Sequence, residues 1–270
     1  MTFIKLFSLA FFTFFIGKTP VQYEKQEGLV AYYSFNDCNA LDESGNGSHG
    51  QVYGDTRCWC GIEGEGLLFD GKNNYLEFSG IVNDYFSTSD FTISFYFKSE
   101  RYSVFQQSLL SKAEACEEYN YLDLFLDRRG GKVNSKLYET PSKFYKELSP
   151  TLDSTGWMHY ALVREGFRAM TFINGQLRQE SFRCSGVDLR NEALLSFSNS
   201  PCVQTGRVLR FQGILDELKI YDHALTEQEV EELYLLNPVE NANMDCVSSV
   251  PDKKRPYIVM KNKKESTFAF

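Results

Sequence analysis

Apolar and polar residues alternate along most of the chain. From Leu29 to Tyr221 the hydrophobic period is close to two: Phe91, Ile93, Phe95 and Phe97 interleave with Thr92, Ser94, Tyr96 and Lys98, and Leu122, Leu124 and Leu126 with Asp123, Phe125 and Asp127. Successive side chains on a strand point to opposite faces, so each such run predicts a strand with one buried face. Further strands are predicted over 29–35, 75–78, 132–138, 159–164, 169–173, 194–198 and 213–221. Asn174-Gly175, set between Phe172-Ile173 and Gln176-Leu177, predicts a type I′ hairpin turn, since both central residues of that turn need positive φ. Many short strands and tight turns with almost no amphipathic helix predict an all-β sandwich. One short C-terminal helix is expected. Thr226-Glu227-Gln228-Glu229 is a capping box, Val230, Leu233 and Tyr234 form an apolar face, and Pro238 stops the helix. It is expected to pack against the sandwich edge.

Both ends depart from this pattern. Leu6 to Gly17 is an uncharged apolar run of twelve residues behind Lys5, and it ends at Lys18-Thr19-Pro20. A membrane-spanning helix needs about 20 apolar residues to cross roughly 30 Å of hydrocarbon, so residues 1–19 read as a secretory signal peptide with no membrane span. No linker divides residues 28–240, which read as one domain. Residues 241–270 form a basic tail, with Lys253-Lys254-Arg255 and Lys261-Asn262-Lys263-Lys264, that lacks periodicity and is expected to be disordered. The 270 residues carry a formal charge of -8, which argues against nucleic acid or an anionic membrane as a partner.

Export gives the seven cysteines a role, because oxidising compartments favour disulfides. They lack the paired C-x-x-C spacing of a zinc site. Cys184 is expected to pair with Cys202 across a short strand, and Cys38 with Cys58 or Cys60 across a glycine-rich loop. An odd count leaves one thiol over or pairs it between molecules.

Two segments suggest a cation. Asp42-Glu-Ser44-Gly-Asn46-Gly-Ser48-His49-Gly50 is dense in oxygen donors, although Tyr53 stands where a calcium-binding EF-hand loop has its bidentate Glu. Asp216, in Gly213-Ile-Leu-Asp-Glu-Leu-Lys-Ile-Tyr221, shares by alternation the apolar face of Ile214, Leu218 and Ile220, with Glu217 and Lys219 opposite. A buried carboxylate needs a compensating partner, here a calcium shared with the Asp42 loop, the backbone amides of a loop, or an Arg.

Several motifs in order carry a resemblance. Gly28-Leu-Val-Ala-Tyr-Tyr-Ser-Phe35, the Asp42 loop, Leu68-Phe-Asp-Gly71, Phe91-Thr-Ile-Ser-Phe95, Gly156-Trp157-x-His159-x-Ala-Leu-Val163, Phe172-Ile-Asn-Gly175 and Gly213-x-x-Asp216-Glu217 resemble a laminin-G-like domain of the concanavalin A-like lectin/glucanase superfamily. The resemblance implies a two-sheet antiparallel jelly roll, exported and often attached to adhesins or polysaccharide-degrading enzymes. It also implies a structural calcium, held by Asp42, the loop oxygens near Asn46 and His49, and Asp216.

Some members of the superfamily are glucanases, which carry E-x-D-x-x-E on one strand. That spacing is absent, as are G-x-S-x-G, H-E-x-x-H and phosphate-loop motifs, so a non-catalytic module is expected. Its expected ligand is a carbohydrate at the cell exterior or cell surface, stacked on rings among Trp59, Tyr102, Phe105, Tyr121, Tyr138 and Tyr145. The alternatives are adhesion to an extracellular protein and an accessory role beside a polysaccharide-degrading enzyme.

Overall fold

The structure, a computed structural model, describes residues 27–242 apart from 101–102, 128–130, 150, 153–155 and 183–185. The expected signal peptide, the tail beyond 242, Tyr102 and Cys184 lie outside the described residues. In chain order the strands are β1 (Leu29–Tyr33), β2 (Gly50–Tyr53), β3 (Arg57–Cys60), β4 (Glu65–Asp70), β5 (Tyr75–Phe78), β6 (Phe91–Ser99), β7 (Gln107–Lys112) and β8 (Tyr121–Leu126). There follow β9 (Val133–Thr140), β10 (Lys143–Leu148), β11 (Trp157–Glu165), β12 (Arg168–Ile173), β13 (Gln176–Ser181), β14 (Leu195–Phe197), β15 (Leu209–Arg210) and β16 (Gln212–Tyr221). Two helices, α1 (Pro201–Gln204) and α2 (Glu227–Leu236), complete the elements used below.

The strands form two sheets of eight, the jelly roll expected from the sequence. The first runs β13-β12-β11-β6-β16-β4-β3, with β1 beside the C-terminal half of β16; the second runs β10-β9-β8-β7-β14-β5-β2, with β15 beside β7. Every pairing is antiparallel except β15 with β7. Between the sheets lies one apolar core. The alternating set Phe91, Ile93, Phe95 and Phe97 of the first sheet meets Leu122, Leu124 and Leu126 of the second. Phe69, Phe95, Phe97, Phe197 and Phe211 pack ring on ring at its centre, with centroids 5.1–6.3 Å apart. Each fully buried ring contributes about 1.5–3 kcal/mol.

The outer face of the first sheet is also covered. The capping box forms as expected, with the Thr226 hydroxyl accepting from the Glu229 amide and the Glu229 carboxylate accepting from the Thr226 amide. Helix α2 then packs Val230 and Leu233 on Ala161, Val163, Met170, Phe172 and Tyr221, and Tyr234 near Tyr96, Trp157 and Ile214. It therefore lies across a sheet face instead of at the sandwich edge. The Asn174-Gly175 turn adopts φ of 50° and 72°, as type I′ requires. A Cβ on Gly175 would sit 2.8 Å from Tyr234 Cβ, so the turn also needs a glycine to admit the helix.

Strand β16 breaks its own alternation. Glu217 takes φ 50° at a bulge where the pairing with β6 shifts between Asp216 and Lys219. Ile214 packs in the outer cluster while Leu218 and Ile220 pack in the inter-sheet core, so Asp216 does not share a face with Leu218 and Ile220. One extra residue reverses the pattern.

Candidate functional site

Among the described residues no such helix covers the outer face of the second sheet. Its strands turn Leu76, Phe78, Leu122, Leu124, Leu137, Leu195 and Phe197 into the core, so the residues between them face away. In the observed register those residues line up across the sheet. Lys146 pairs with Lys136, Lys136 with Asp123, Asp123 with Ser111, Ser111 with Ser196, Ser196 with Glu77 and Glu77 with Gln51. This is a polar row seven strands long with no aliphatic residue in it. A ring row runs beside it at one edge, where Tyr121 stacks on Tyr138 at 5.0 Å and Tyr138 on Phe144 at 5.8 Å.

Two loops rise over the middle of the row. The segment after β7 carries Cys116, and α1 after β14 carries Cys202; the two cysteines form a disulfide. Cys202 thus pairs with Cys116 and not with Cys184, because α1 brings it over β8 instead of across a hairpin. Both cysteines pack with Val203 and Val208 on Phe125. Glu117 reaches down to the Lys136 ammonium at 2.7 Å and faces Arg207 at 3.7 Å. Under this roof Asp123 and Ser111 are buried, and the Ser111 hydroxyl donates to Asp123 at 2.6 Å. Burial pushes the Asp123 carboxyl up to about 7, against the opposing pull of Ser111 and Lys136.

The β5 and β2 end of the row lies open. A groove of about 670 Å³ has Ser196 and Glu77 among its lining, with residues 113–118 and 199–207 as walls. Tyr75 and Tyr53, two positions along from Glu77 and Gln51, stack at 4.4 Å with 3° between their planes. The Arg210 guanidinium sits 4.4 Å from the Tyr75 centroid, on the face that Tyr53 leaves. The Tyr53 hydroxyl is hydrogen-bonded to Glu77. Asn199 Oδ1 accepts from Gln204 Nε2 at 3.0 Å and from Arg210 Nη1 at 3.1 Å. These bonds fix both amides, which leaves Asn199 Nδ2 as a donor and Gln204 Oε1 as an acceptor beside an aromatic stack. Rings next to oriented donors and acceptors suit a ligand with apolar faces and hydroxyl edges.

The rings singled out in the sequence are not gathered here. Trp59 is half exposed on β3 of the first sheet, and Phe105 is exposed ahead of β7. Tyr121 and Tyr138 join the ring row, Tyr121 itself buried. Tyr145 packs in the inter-sheet core, so it does not face a ligand. Tyr53, Tyr75, Glu77, Asn199, Gln204 and Arg210 were not anticipated. For Tyr75 and Glu77 a signal exists, their alternation with Leu76 and Phe78.

The proposed calcium ligands use their oxygens otherwise. Asp42 Oδ1 accepts from the amides of Tyr32 (3.1 Å) and Ser44 (2.9 Å), and Oδ2 from that of Ser48 (2.9 Å). Burial would raise its pKa, but the bonds from Ser44, Tyr32 and Ser48 outweigh burial and hold the carboxyl below its ordinary value. Asn46 turns its Nδ2 donor to the carbonyls of Leu29 and Val30, both at 2.9 Å, and His49 Nδ1 accepts from the Asp42 amide at 3.1 Å. Asp216 accepts from the amides of Ile62 (2.7 Å), Glu63 (3.3 Å) and Glu217 (2.9 Å). Calcium needs converging oxygens, and these carboxylates face amide donors, so the set does not fit calcium and fits amide pinning of two loops. Cys38 pairs with Cys58, the first of the two partners expected, and Cys60 is disulfide-bonded as well.

The fold recurs among solved structures. The binding domain of Paraclostridial Mosquitocidal Protein 1 is 19% identical with a TM-score of 0.63, over 78% of this chain and 52% of that one. Domain 4 of AbnA, a GH43 extracellular arabinanase from Geobacillus stearothermophilus solved in complex with arabinotriose, is 20% identical with a TM-score of 0.59, over 76% of this chain and 98% of that one. The receptor binding domain of botulinum neurotoxin D is 13% identical with a TM-score of 0.61, over 78% and 53%. This chain spans about half the length of the two toxin domains. No curated protein sequence matched it. Residues 70–231 match Laminin_G_3, described as concanavalin A-like lectin/glucanases superfamily, and the chain belongs to that family.

Proposed function

We propose that this chain is an extracellular, non-catalytic recognition module that binds carbohydrate in the groove on the outer face of the second sheet. The observation that carries the reading is the Tyr53–Tyr75–Arg210 stack beside the fixed amides of Asn199 and Gln204. One sugar ring can stack on the face of Tyr53 turned from Tyr75, and the hydroxyls of a neighbouring sugar can meet the donor and acceptor. The arabinotriose in the complex of AbnA domain 4 supports a glycan as ligand for this fold and supplies a first probe. Disulfides and the apolar leader support export. The non-catalytic reading is supported by the absence of the E-x-D-x-x-E spacing of the glucanases and by the burial of Asp123, Asp216 and Glu217.

Affinity electrophoresis tests the reading on gels containing arabinan, xylan, β-glucan or galactan. Retardation on at least one gel is expected, with Tyr53→Ala and Gln204→Ala each weakening it about tenfold, the order of one lost stacking or hydrogen-bonding contact. Trp59→Ala, on the first sheet, serves as a control with unchanged retardation. Equal mobility of the parent on every gel, together with capture of an extracellular protein, would favour adhesion instead.

A further inference from the structure

From the way the roof divides the polar row, we infer that the groove recognises the ends of glycan chains and not their interior; the inference rests on the glycan reading above. The row is continuous in register across seven strands, and an extended chain lying along it would cross the whole sheet. The roof prevents this. On the β2 and β5 side, Gln51 is exposed and Glu77 is half-buried in the groove lining, whereas Ser196 of β14, also in the lining, is only 6% exposed. On the β7, β8 and β9 side, Ser111, Asp123 and Lys136 are 1%, 1% and 8% exposed.

Three contacts hold the roof down. The Cys116–Cys202 disulfide joins its two halves. Glu117 is ion-paired with Lys136 of the sheet below. Phe125, on the sheet, packs against both cysteines, Val203 and Val208. Cys116 is itself part of the groove lining, so the disulfide stands at the inner limit of the open part. A ligand entering over the edge strand β2 meets the Tyr53–Tyr75 stack, then Glu77 and Ser196, then this wall. The two open strands span one inter-strand spacing, about 5 Å, which is roughly the length of one sugar residue. Across the strands the row is closed from β14 to β9, so a chain that follows it inward from β2 places its terminal sugar at the wall.

The test uses the full chain and the same four polysaccharides, each coupled to gel before and after limited acid hydrolysis, which multiplies chain ends at constant mass. Trisaccharides and hexasaccharides of each polymer serve as competitors. End recognition predicts more protein retained per gram after hydrolysis, and trisaccharides and hexasaccharides that compete within about threefold of each other per mole. Hexasaccharides competing more than tenfold better, or retention per gram indifferent to hydrolysis, would overturn end recognition while leaving glycan binding in place. Absence of retention on every gel would overturn both. A Cys116→Ser/Cys202→Ser variant that keeps the parent's near-ultraviolet circular dichroism should favour hexasaccharides over trisaccharides at least fivefold more than the parent does; an unchanged ratio in that folded variant would also overturn the inference. Glu117→Gln, which removes the ion pair and keeps the disulfide, should move the ratio in the same direction if the double variant does not fold.

Discussion

Asp123 and His159 are buried titratable groups on different sheets, and they act on stability in opposite directions. Asp123, pushed up to about 7 by burial, holds its proton in the folded state where the unfolded chain, at the usual 3.8, has released it. Its contribution is full below about pH 4 and is lost as pH rises through 7. Burial, with help from Lys219, lowers His159 to about 3 from the usual 6.5, and its Nε2 lies 2.8 Å from the Ser94 hydroxyl. The folded state therefore excludes a proton that the unfolded chain takes up below 6.5, so this contribution is full above 6.5 and is lost as pH falls toward 3. Each shift of about three units corresponds to roughly 4 kcal/mol. Between about pH 4 and 6.5 the two slopes oppose each other, and above about pH 7 both groups are deprotonated in the folded and the unfolded state, so neither slope remains. Urea midpoints of the parent are expected to change little from about pH 4 to 8. Asp123→Asn should leave the His159 slope alone, so its midpoint should rise between about pH 4 and 6.5. A midpoint in the variant as flat as the parent's would remove Asp123 from the account. Neither burial is legible in the sequence: Asp123 occupies a polar position in its alternation, and half of its roof comes from 202–208, far along the chain.

Elements whose cause is local are legible, and those imposed from outside are not. The capping box at Thr226 and the Asn174-Gly175 turn each follow from a few adjacent residues, and both form as expected. The bulge at Glu217 does not. It is compensated by Tyr32, whose hydroxyl donates to Glu217 at 2.8 Å, and by Lys219 at 2.6 Å. Strand β1 supplies one of those partners, and nothing near residue 217 announces it. The short strands β2, β3, β10, β13 and β15 escape periodicity for the same reason, since their neighbours decide them. Helix α2 offers an element-scale test of the separation between stability and binding. Thr226→Ala removes the side-chain acceptor of the first turn and should lower stability by about 1 kcal/mol in urea titration. Because α2 covers the first sheet and the groove lies on the second, affinity for the retained glycan should stay within about twofold of the parent. A tenfold loss of affinity would show that the two faces are coupled.

For the molecule as a whole, a period of two, turn signals and an export signal suffice for the sandwich, but the groove takes its residues from β2, β5, β14, α1 and β15. Its walls, 113–118 and 199–207, and its floor on β5 and β14 lie far apart in the chain, so only the register assembles the site. The Asp42 and Asp216 loops show the converse, since their oxygen-rich sequence suggests a cation and the fold supplies amides. The two accounts differ in a measurable way. A ligand present at 100 times its dissociation constant stabilises by about 2.7 kcal/mol, which for a domain of this size raises the melting temperature by roughly 5–10 °C. With amide pinning, melting in millimolar calcium and in excess chelator should agree within about 1 °C. Asp42→Asn replaces one accepting oxygen by an NH2 donor, so at most two of the three amides keep an acceptor, now neutral. It should destabilise by about 1.5–3 kcal/mol, the range for hydrogen bonds to a charged group, and by the same amount in both buffers. A rise of several degrees with calcium in the parent, absent in Asp42→Asn, would restore a cation to this loop and require the Tyr32, Ser44 and Ser48 amides to find other acceptors.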